Sequence, residues 1–176
     1  MHRNGSCTAL RLGGVTYLFD VAEGTNRQLI YSRIALSSIT KIFISHLHGD
    51  HVYGLVPVIL EIQVAVKLMK QAIAERGRRT KKRRHHAMVH TRPTLEIYGP
   101  PGLYNYVAMN MALSCVKLNY LNVVVTEFVG GREERGPIRS RDEETRNGRR
   151  GRRNIFLSHY PEVEMGLLKR RYLEMV

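Results

Sequence analysis

The sequence contains no tryptophan, and aromatic residues make up only 7% of its 176 positions. Proteins that hold single-stranded nucleic acid by base stacking need exposed aromatic side chains. Base stacking is therefore poorly supported, and we expect any nucleic-acid binding by this chain to act through the phosphate backbone without sequence preference.

Cysteine is scarce as well, since the chain has only Cys7 and Cys115 and no closely spaced pair. Two isolated thiols indicate neither a disulfide framework nor a cysteine-based zinc site. We expect both to be small core residues of a protein that works in a reducing compartment.

Long apolar runs are also missing. No stretch approaches the roughly 20 apolar residues of a membrane-spanning helix, and the N-terminus lacks the apolar segment of a secretion signal. Hydrophobic residues still make up 43% of the chain, which is enough for one domain with a core. We expect an intracellular protein, cytoplasmic or nuclear and not secreted, with no membrane partner.

Acidic residues are outnumbered, because 15 aspartates and glutamates face 28 lysines and arginines, for a formal net charge of +13. This excess favours a polyanionic partner, with nucleic acid ahead of an anionic membrane surface. The densest positive charge lies in a predicted insertion at residues 76–92. A solvated insertion explains this charge at least as well as a nuclear-import signal or weak RNA-phosphate contacts. The side chains predicted to make such contacts are Arg78, Arg79, Lys81, Lys82, Arg83 and Arg84.

Apolar patterns in the first third of the chain predict a hairpin, a helix and a strand. Two short strands, 8–12 and 15–19, flank Gly13-Gly14. Thr25-x-x-Gln28 has the form of a capping box and opens a helix through about Leu36. The inward side chains expected on this helix are Leu29, Ile30 and Ile34.

A longer helix is predicted over 56–75, after an apolar strand at 41–44. Its buried face is expected to hold Val58, Ile62, Ala65, Met69 and Ala72, with Gln63, Lys67 and Lys70 opposite. A strand at 95–98, a helix over 101–115 and a strand at 121–129 follow. The side chains that this second helix should bury are Leu103, Val107, Met111 and Leu113.

The last quarter of the chain changes in composition. Residues 130–153 are rich in arginine, glutamate and glycine with almost no apolar residue, which predicts a disordered loop. A strand at 155–158 then leads to His159. We expect residues 1–129 to form one partial domain, to which 154–176 add a strand and a short C-terminal segment.

Three histidines and an aspartate are concentrated in Ser45-His46-Leu47-His48-Gly49-Asp50-His51, directly after an apolar strand. In this array, His46 and His48 can turn toward one metal, while Asp50 and His51 face a second. Imidazole nitrogen with carboxylate oxygen suits zinc best, and manganese or iron are possible. A histidine-rich surface loop without metal is the alternative, and the strand before and helix after make it the weaker one.

This histidine spacing resembles the metallo-β-lactamase superfamily. Two further segments resemble ribonuclease Z, the endonuclease family that trims precursor tRNA. Residues 18–28, LFDVAEGTNRQ, are similar to that family's LFDCGEGTQRQ, and residues 95–103, LEIYGPPGL, match its strand-to-helix segment. The departures are small: Val21-Ala22 replaces Cys-Gly, and Asn26 replaces Gln.

The resemblance implies an α/β fold, an αββα sandwich of which this chain contains about one half. It also implies a zinc-dependent endoribonuclease that removes 3′ trailers from precursor tRNA, with two zinc ions and attack by a hydroxide generated on the metal. Asp50 would bind the second zinc and take a proton from the attacking water. His159 is a candidate third histidine for the first metal. Glu23 and Thr25 are expected to shape the turn that positions the metal loop.

The same resemblance implies that metal ligands from the family's second half are missing here. We therefore expect a truncated form, which needs precursor tRNA as substrate and either a homodimer partner or the missing C-terminal half. Two other functions stay open. One is an inactive, basic RNA-binding module, and the other is a different hydrolase of the same superfamily.

Overall fold

The computed structural model describes residues 5–80, 91–128, 163–165 and 168–173. Over these residues the elements are β1 (Thr8–Leu12), β2 (Val15–Phe19), α1 (Thr25–Tyr31), a 3₁₀ turn (Leu36–Ser38), β3 (Ile39–Phe43), α2 (Gly49–Val52), α3 (Leu55–Thr80), β4 (Thr94–Gly99), α4 (Leu103–Leu113), β5 (Asn122–Phe128), β6 (Val163–Met165) and β7 (Leu168–Leu173). The predicted hairpin, the long helices and the strands between them are present, whereas β6 and β7 are additional to the prediction.

The seven described strands form one sheet in the order β1-β2-β3-β4-β5-β7-β6. Neighbours are parallel from β2 to β5 and antiparallel at both ends of the sheet. Because parallel strands end at the same edge, the segments that follow β2, β3 and β4 meet there. This edge positions the candidate site.

One face of the sheet carries the core. Strand register places Leu18, Ile42, Ile97 and Val125 in one row across four strands, and all four have no exposed surface. Helices α1, α3 and α4 bury their apolar side chains in the same cluster as this row. Burial of such branched side chains contributes roughly 1.5–3 kcal/mol each, so this interface is the main source of stability.

The outer face of the sheet carries aromatic side chains instead. Phe19, Phe43, Tyr98 and Phe128 stack along the edge where their strands end, with neighbouring ring centroids 5.0, 5.2 and 6.2 Å apart. Phe19 is 41% exposed and Phe128 is 50% exposed. The α/β class is therefore confirmed, and among the described residues the sheet is layered with helices on one face.

Helix α1 is shorter than predicted and begins differently. Gly24 is its N-cap residue with φ 79°, and no side chain caps the helix. A capping box needs Thr25 outside the helix, but Thr25 is the first helical residue and is buried. The helix ends at Tyr31, where the Ser32 hydroxyl donates to the Leu29 carbonyl. The prediction for Ile30 was wrong, because this side chain is 53% exposed.

The buried face of α3 is rotated from its predicted position. The side chains that face the core follow a spacing of three or four residues: Leu55, Val58, Ile59, Ile62 and Val66. Met69 is 42% exposed, so its prediction as a core residue was wrong. Lys70 is buried instead, and its Nζ donates to the Thr91 carbonyl at 2.6 Å. Helical periodicity predicts the buried face of α3 only to within one residue. The hydrogen bond from Lys70 to Thr91 explains why Lys70 is buried and Met69 is exposed.

The helical stretch Gly49–Arg76 is long and apolar enough to cross a membrane by composition, because an 18-residue window within it has a mean hydropathy of 1.7. The expectation that no stretch approaches this length was therefore too strong. This is weak evidence for a membrane span, because the core helix of a globular domain passes the same test. Val58, Ile59 and Ile62 of this stretch are buried against the sheet.

The end of α4 corrects two more predictions. Leu113 is the last residue of the helix and is 79% exposed. Cys115 follows in a left-handed backbone conformation with φ 51° and is exposed, so it is not a core residue. Cys7 is half-buried. The predicted loop 130–153, the strand at 155–158 and His159 lie outside the described residues.

The two thiols should differ in reactivity. Burial raises the pKa of the Cys7 thiol. The negative charge of Asp20 raises this pKa further, whereas a hydrogen bond with Thr25 lowers it, so the pKa stays above its ordinary value. Because the thiolate is the reactive form, we expect iodoacetamide to label Cys115 quickly and Cys7 slowly in the folded protein, with Cys7 labelling still rising at alkaline pH. Peptide mass spectrometry measures both rates. Equal rates in the folded protein would contradict this arrangement, and equal rates in denaturant are the control.

A buried carboxylate holds the start of α4. Glu127 is 5% exposed, and its Oε1 accepts the Tyr104 backbone N–H at 2.9 Å. Helix N-termini leave such N–H groups without partners inside the helix, and a carboxylate there is favourable.

Replacement of Glu127 should therefore lower stability according to what replaces the carboxylate. We expect Glu127→Ala to lower the free energy of unfolding by about 1–3 kcal/mol, because a buried donor loses its acceptor. Glu127→Gln keeps an acceptor oxygen, so its free energy of unfolding should fall by less than half of the loss expected for Glu127→Ala. Denaturant unfolding measures both variants, and equal losses would show that this hydrogen bond does not hold the helix.

Candidate metal centre

The histidine-rich loop lies at the edge where the parallel strands end. It leaves β3 after Phe43 and enters α2 at Gly49, so its residues stand beside the segment that follows β2. His48 is the N-cap residue of α2 and has an extended backbone. The loop is therefore anchored by a strand at one end and by a helix at the other.

Main-chain hydrogen bonds join this loop to the turn after β2. The Asp20 N–H donates to the Phe43 carbonyl at 2.8 Å, and the Val21 N–H donates to the His51 carbonyl at 2.7 Å. The Ser6 N–H donates to the Asp50 carbonyl at 3.1 Å. Backbone hydrogen bonds alone therefore hold together the segment at Ser6, the turn at Asp20 and the loop that ends at His51.

The Asp20 carboxylate is the centre of the side-chain network. It accepts the Ser45 backbone N–H at 2.8 Å and the Ser45 hydroxyl at 2.8 and 2.9 Å. His51 Nδ1 lies 2.8 Å from its Oδ2. Burial raises the pKa of Asp20, but the hydrogen bonds from Ser45 and His51 outweigh burial and hold this pKa below its ordinary value. Asp20 is therefore an ionised carboxylate that can only accept.

An accepting Asp20 determines which nitrogen of each histidine carries a proton. In its neutral form His51 donates from Nδ1 to Asp20, and its Nε2 then carries no proton and can bind a metal. The Ser45 hydroxyl has a single hydrogen and gives it to Asp20. Its 3.0 Å contact with His46 Nδ1 therefore uses the histidine N–H as donor, and His46 Nε2 is left free as well.

Ring nitrogens of both histidines converge with the Asp50 carboxylate. Single ligand atoms from His46, Asp50 and His51 all lie within 4.8 Å of one another. The two imidazole rings are 4.0 Å apart, and His51 Nε2 is 3.5 Å from Asp50 Oδ2. Ligands of a tetrahedral zinc at ~2.0–2.1 Å lie about 3.3 Å apart, so a small closure by the exposed Asp50 side chain is enough. The donor set fits zinc, with a position left for water or substrate.

His48 lies beside His46 in the same loop. Its exposed ring meets the His46 ring edge-on at 4.7 Å, and it does not belong to the converging group. The described residues thus bring His46 together with Asp50 and His51. The pairing of His46 with His48 on one metal remains a prediction.

The side chains of the other predicted site residues lie outside the described part of the structure. His159 lies outside the described residues. Arg78 and Arg79 fall in the last turn of α3, where only the backbone is described, and residues 81–84 lie outside the described part of the chain. The RNA-contact prediction is therefore untested.

Sequence reasoning missed Asp20 and Ser45 as site residues. Asp20 directly follows β2, and Ser45 comes two residues after β3. The two strands are parallel neighbours, so their ends meet at one edge. An acidic residue and a hydroxyl residue at adjacent strand ends were the available signal.

Comparison with known proteins gives consistent matches over this region. The sequence profile of the "Metallo-beta-lactamase superfamily" matches residues 2–110. The human "Zinc phosphodiesterase ELAC protein 1" is 37% identical over 127 residues, which cover 72% of this chain and 29% of the relative. "Ribonuclease Z" of Brevibacillus brevis is 40% identical over 121 residues, which cover 67% of this chain and 30% of the relative. The chain therefore spans less than a third of the length of these curated relatives.

A solved structure gives the same fold. The crystal structure of human tRNase Z, short form, superposes with a TM-score of 0.54 at 34% identity and covers 71% of this chain and 39% of that one. This confirms the metallo-β-lactamase-like fold expected from the sequence and its partial extent.

Loss of the Asp20 charge should weaken zinc binding. We expect Asp20→Asn to lower zinc affinity by about 10–100-fold, because the amide no longer orients His51 and Ser45. Competition with a chromophoric chelator measures the affinity. Glu96→Gln is the control, since it changes a carboxylate that pairs with Lys41 at 2.9 Å on the outer sheet face. Equal zinc affinity in wild type and Asp20→Asn would contradict the role of this network.

Proposed function

This chain belongs to the metallo-β-lactamase superfamily, and from that premise we propose that it is the metal-binding part of a zinc-dependent endoribonuclease. Its reaction is hydrolysis of a phosphodiester that removes 3′ trailers from precursor tRNA. The observation that carries the proposal is the convergence of one ligand atom each from His46, Asp50 and His51 within 4.8 Å of one another. The names of the relatives, ribonuclease Z and zinc phosphodiesterase, support the substrate class.

His46 and His51 would hold the zinc through Nε2, and Asp50 through a carboxylate oxygen. When bound, zinc lowers the pKa of a coordinated water from about 16 toward ~7 and offsets negative charge on the phosphate oxygens. Asp50 is 71% exposed in its side chain and stands at the open side of the group, where it can accept the proton of the attacking water. Asp20 and Ser45 keep both rings oriented and do not touch the substrate.

A second zinc would need more ligands than the described residues bring together. His48 is the nearest further imidazole. His159 is the other candidate in this chain, and the remaining ligands would come from polypeptide beyond these 176 residues or from another chain. We therefore propose one zinc held by the described group and a second completed by such a partner. A homodimer and the missing C-terminal half both satisfy this requirement.

Substrate binding would rest on positive charge. The formal net charge of +13 favours a polyanion, and the salt dependence of binding should be steep because each neutralised phosphate releases counterions. The same charge supports the second candidate function, a basic RNA-binding module without catalysis. Zinc dependence separates the two functions.

Removal of Asp50 tests the proposal. We expect purified wild type to contain zinc by elemental analysis and to cleave precursor tRNA, and Asp50→Ala to lose zinc and about 10²–10⁴-fold of its activity. Glu75→Ala, which removes an exposed carboxylate on α3, is the matched control and should retain both properties.

Two outcomes would contradict the endoribonuclease. A wild-type chain that binds no zinc would remove the metal chemistry altogether. A chain whose tRNA binding survives chelation and Asp50→Ala, with no cleavage by the zinc-loaded wild type, would be the RNA-binding module.

A further inference from the structure

A cavity of about 560 Å³ opens beside Asp50, and no histidine is among its lining residues. It is lined by Gly5, Ala22, Glu23, Gly24, Gly49, Asp50 and Tyr53. Cavities of this size hold small ligands. Four of the seven lining residues are glycine or alanine, so the walls are mostly backbone and a flat group can approach closely.

Tyr53 is the one aromatic side chain in this lining. It is 62% exposed, although it lies one helical turn after Gly49, and its backbone N–H donates to the Gly49 carbonyl at 3.1 Å. A Cβ atom added to Gly49 would overlap the Tyr53 ring, so the ring lies directly against the loop backbone. Because Gly49 has no side chain, the Tyr53 ring can pack against the loop backbone at this position. The rest of the ring remains accessible.

The charge of the lining selects which part of a nucleotide can enter. Glu23 and Asp50 both present carboxylates to the cavity, and both residues are exposed. Like charge disfavours a phosphate there. The uncharged base and ribose are accepted more readily, and their amino and hydroxyl groups can donate to Glu23. The phosphate is left to the His46, Asp50 and His51 group.

We propose that this cavity holds the nucleoside next to the scissile phosphate, with the Tyr53 ring as the surface on which its base stacks. The inference rests on the proposed function, because it takes the His46, Asp50 and His51 group as the place of the scissile bond. Aromatic platforms hold unpaired bases in many RNA-binding proteins. The low aromatic content of the chain does not oppose this, since one base needs one ring.

The absence of tryptophan makes a direct binding measurement possible. Tyr53→Trp introduces a single tryptophan, whose emission reports stacking in the presence of chelator. We expect a short single-stranded oligoadenylate to quench this emission saturably. Leu113→Trp is the control, because Leu113 is 79% exposed at the end of α4 and does not line the cavity. Absent quenching, or equal quenching in both variants, would overturn the inference.

Two substitutions then separate stacking from a structural role. Tyr53→Phe keeps the ring and should retain oligoadenylate affinity, whereas Tyr53→Leu should weaken it by about fivefold to about a hundredfold. Both variants should bind as much zinc as wild type, which shows that the loop is intact. Equal affinities for Tyr53→Phe and Tyr53→Leu would contradict the stacking role.

Failure of this inference is distinguishable from failure of the proposed function. Zinc binding and precursor tRNA cleavage by wild type, with no quenching in Tyr53→Trp, would refute the nucleoside site and leave the endoribonuclease in place. Quenching specific to Tyr53→Trp, with no cleavage by zinc-loaded wild type, would support the nucleoside site and refute the endoribonuclease.

Discussion

The ionised carboxylate of Asp20 is the constraint on which the candidate metal centre depends. It takes hydrogen bonds from the backbone and hydroxyl of Ser45 and from the ring of His51, and its own position is fixed by β2. A carboxylate cannot donate, so the protons of its neighbours are assigned by this one group. The result is a pair of neighbouring imidazole rings, 4.0 Å apart between centroids, whose nitrogens converge with Asp50. A change at Asp20 would therefore act on metal binding although Asp20 itself does not belong to the converging group.

The sheet topology makes this arrangement possible. β2 and β3 are parallel neighbours, so the residue after one strand and the loop after the other meet at the same edge. The helices cover only one face of the sheet among the described residues, and the aromatic row of Phe19, Phe43, Tyr98 and Phe128 stands on the other. The chain spans less than a third of its curated relatives. Among the described residues the aromatic row stays partly exposed, with Phe19 at 41% and Phe128 at 50%.

Local patterns predicted the hairpin, the long helices and the histidine loop, because these depend on periodicity and on short-range spacing, whereas the α/β class came from the resemblance to the metallo-β-lactamase superfamily. Features that depend on tertiary contacts could not be read in this way. Lys70 is buried because the Thr91 carbonyl lies within reach, and Met69 is exposed in its place. Asp20 joins the site through a residue 25 positions away, and only the pairing of β2 with β3 shows that the two strand ends meet. His159 and the basic residues 81–84 lie outside the described residues, so their predicted roles remain predictions.

The tautomer of His51 is the most direct test of this account. Heteronuclear NMR of the zinc-free, histidine-labelled protein, at a pH above the ordinary histidine pKa of about 6.5, reports which ring nitrogen carries the proton. The His51→Gln variant assigns the signal. The account predicts a proton on Nδ1 and none on Nε2, as an accepting Asp20 requires. A proton on Nε2, or the averaged signals of a freely exchanging imidazole, would contradict it.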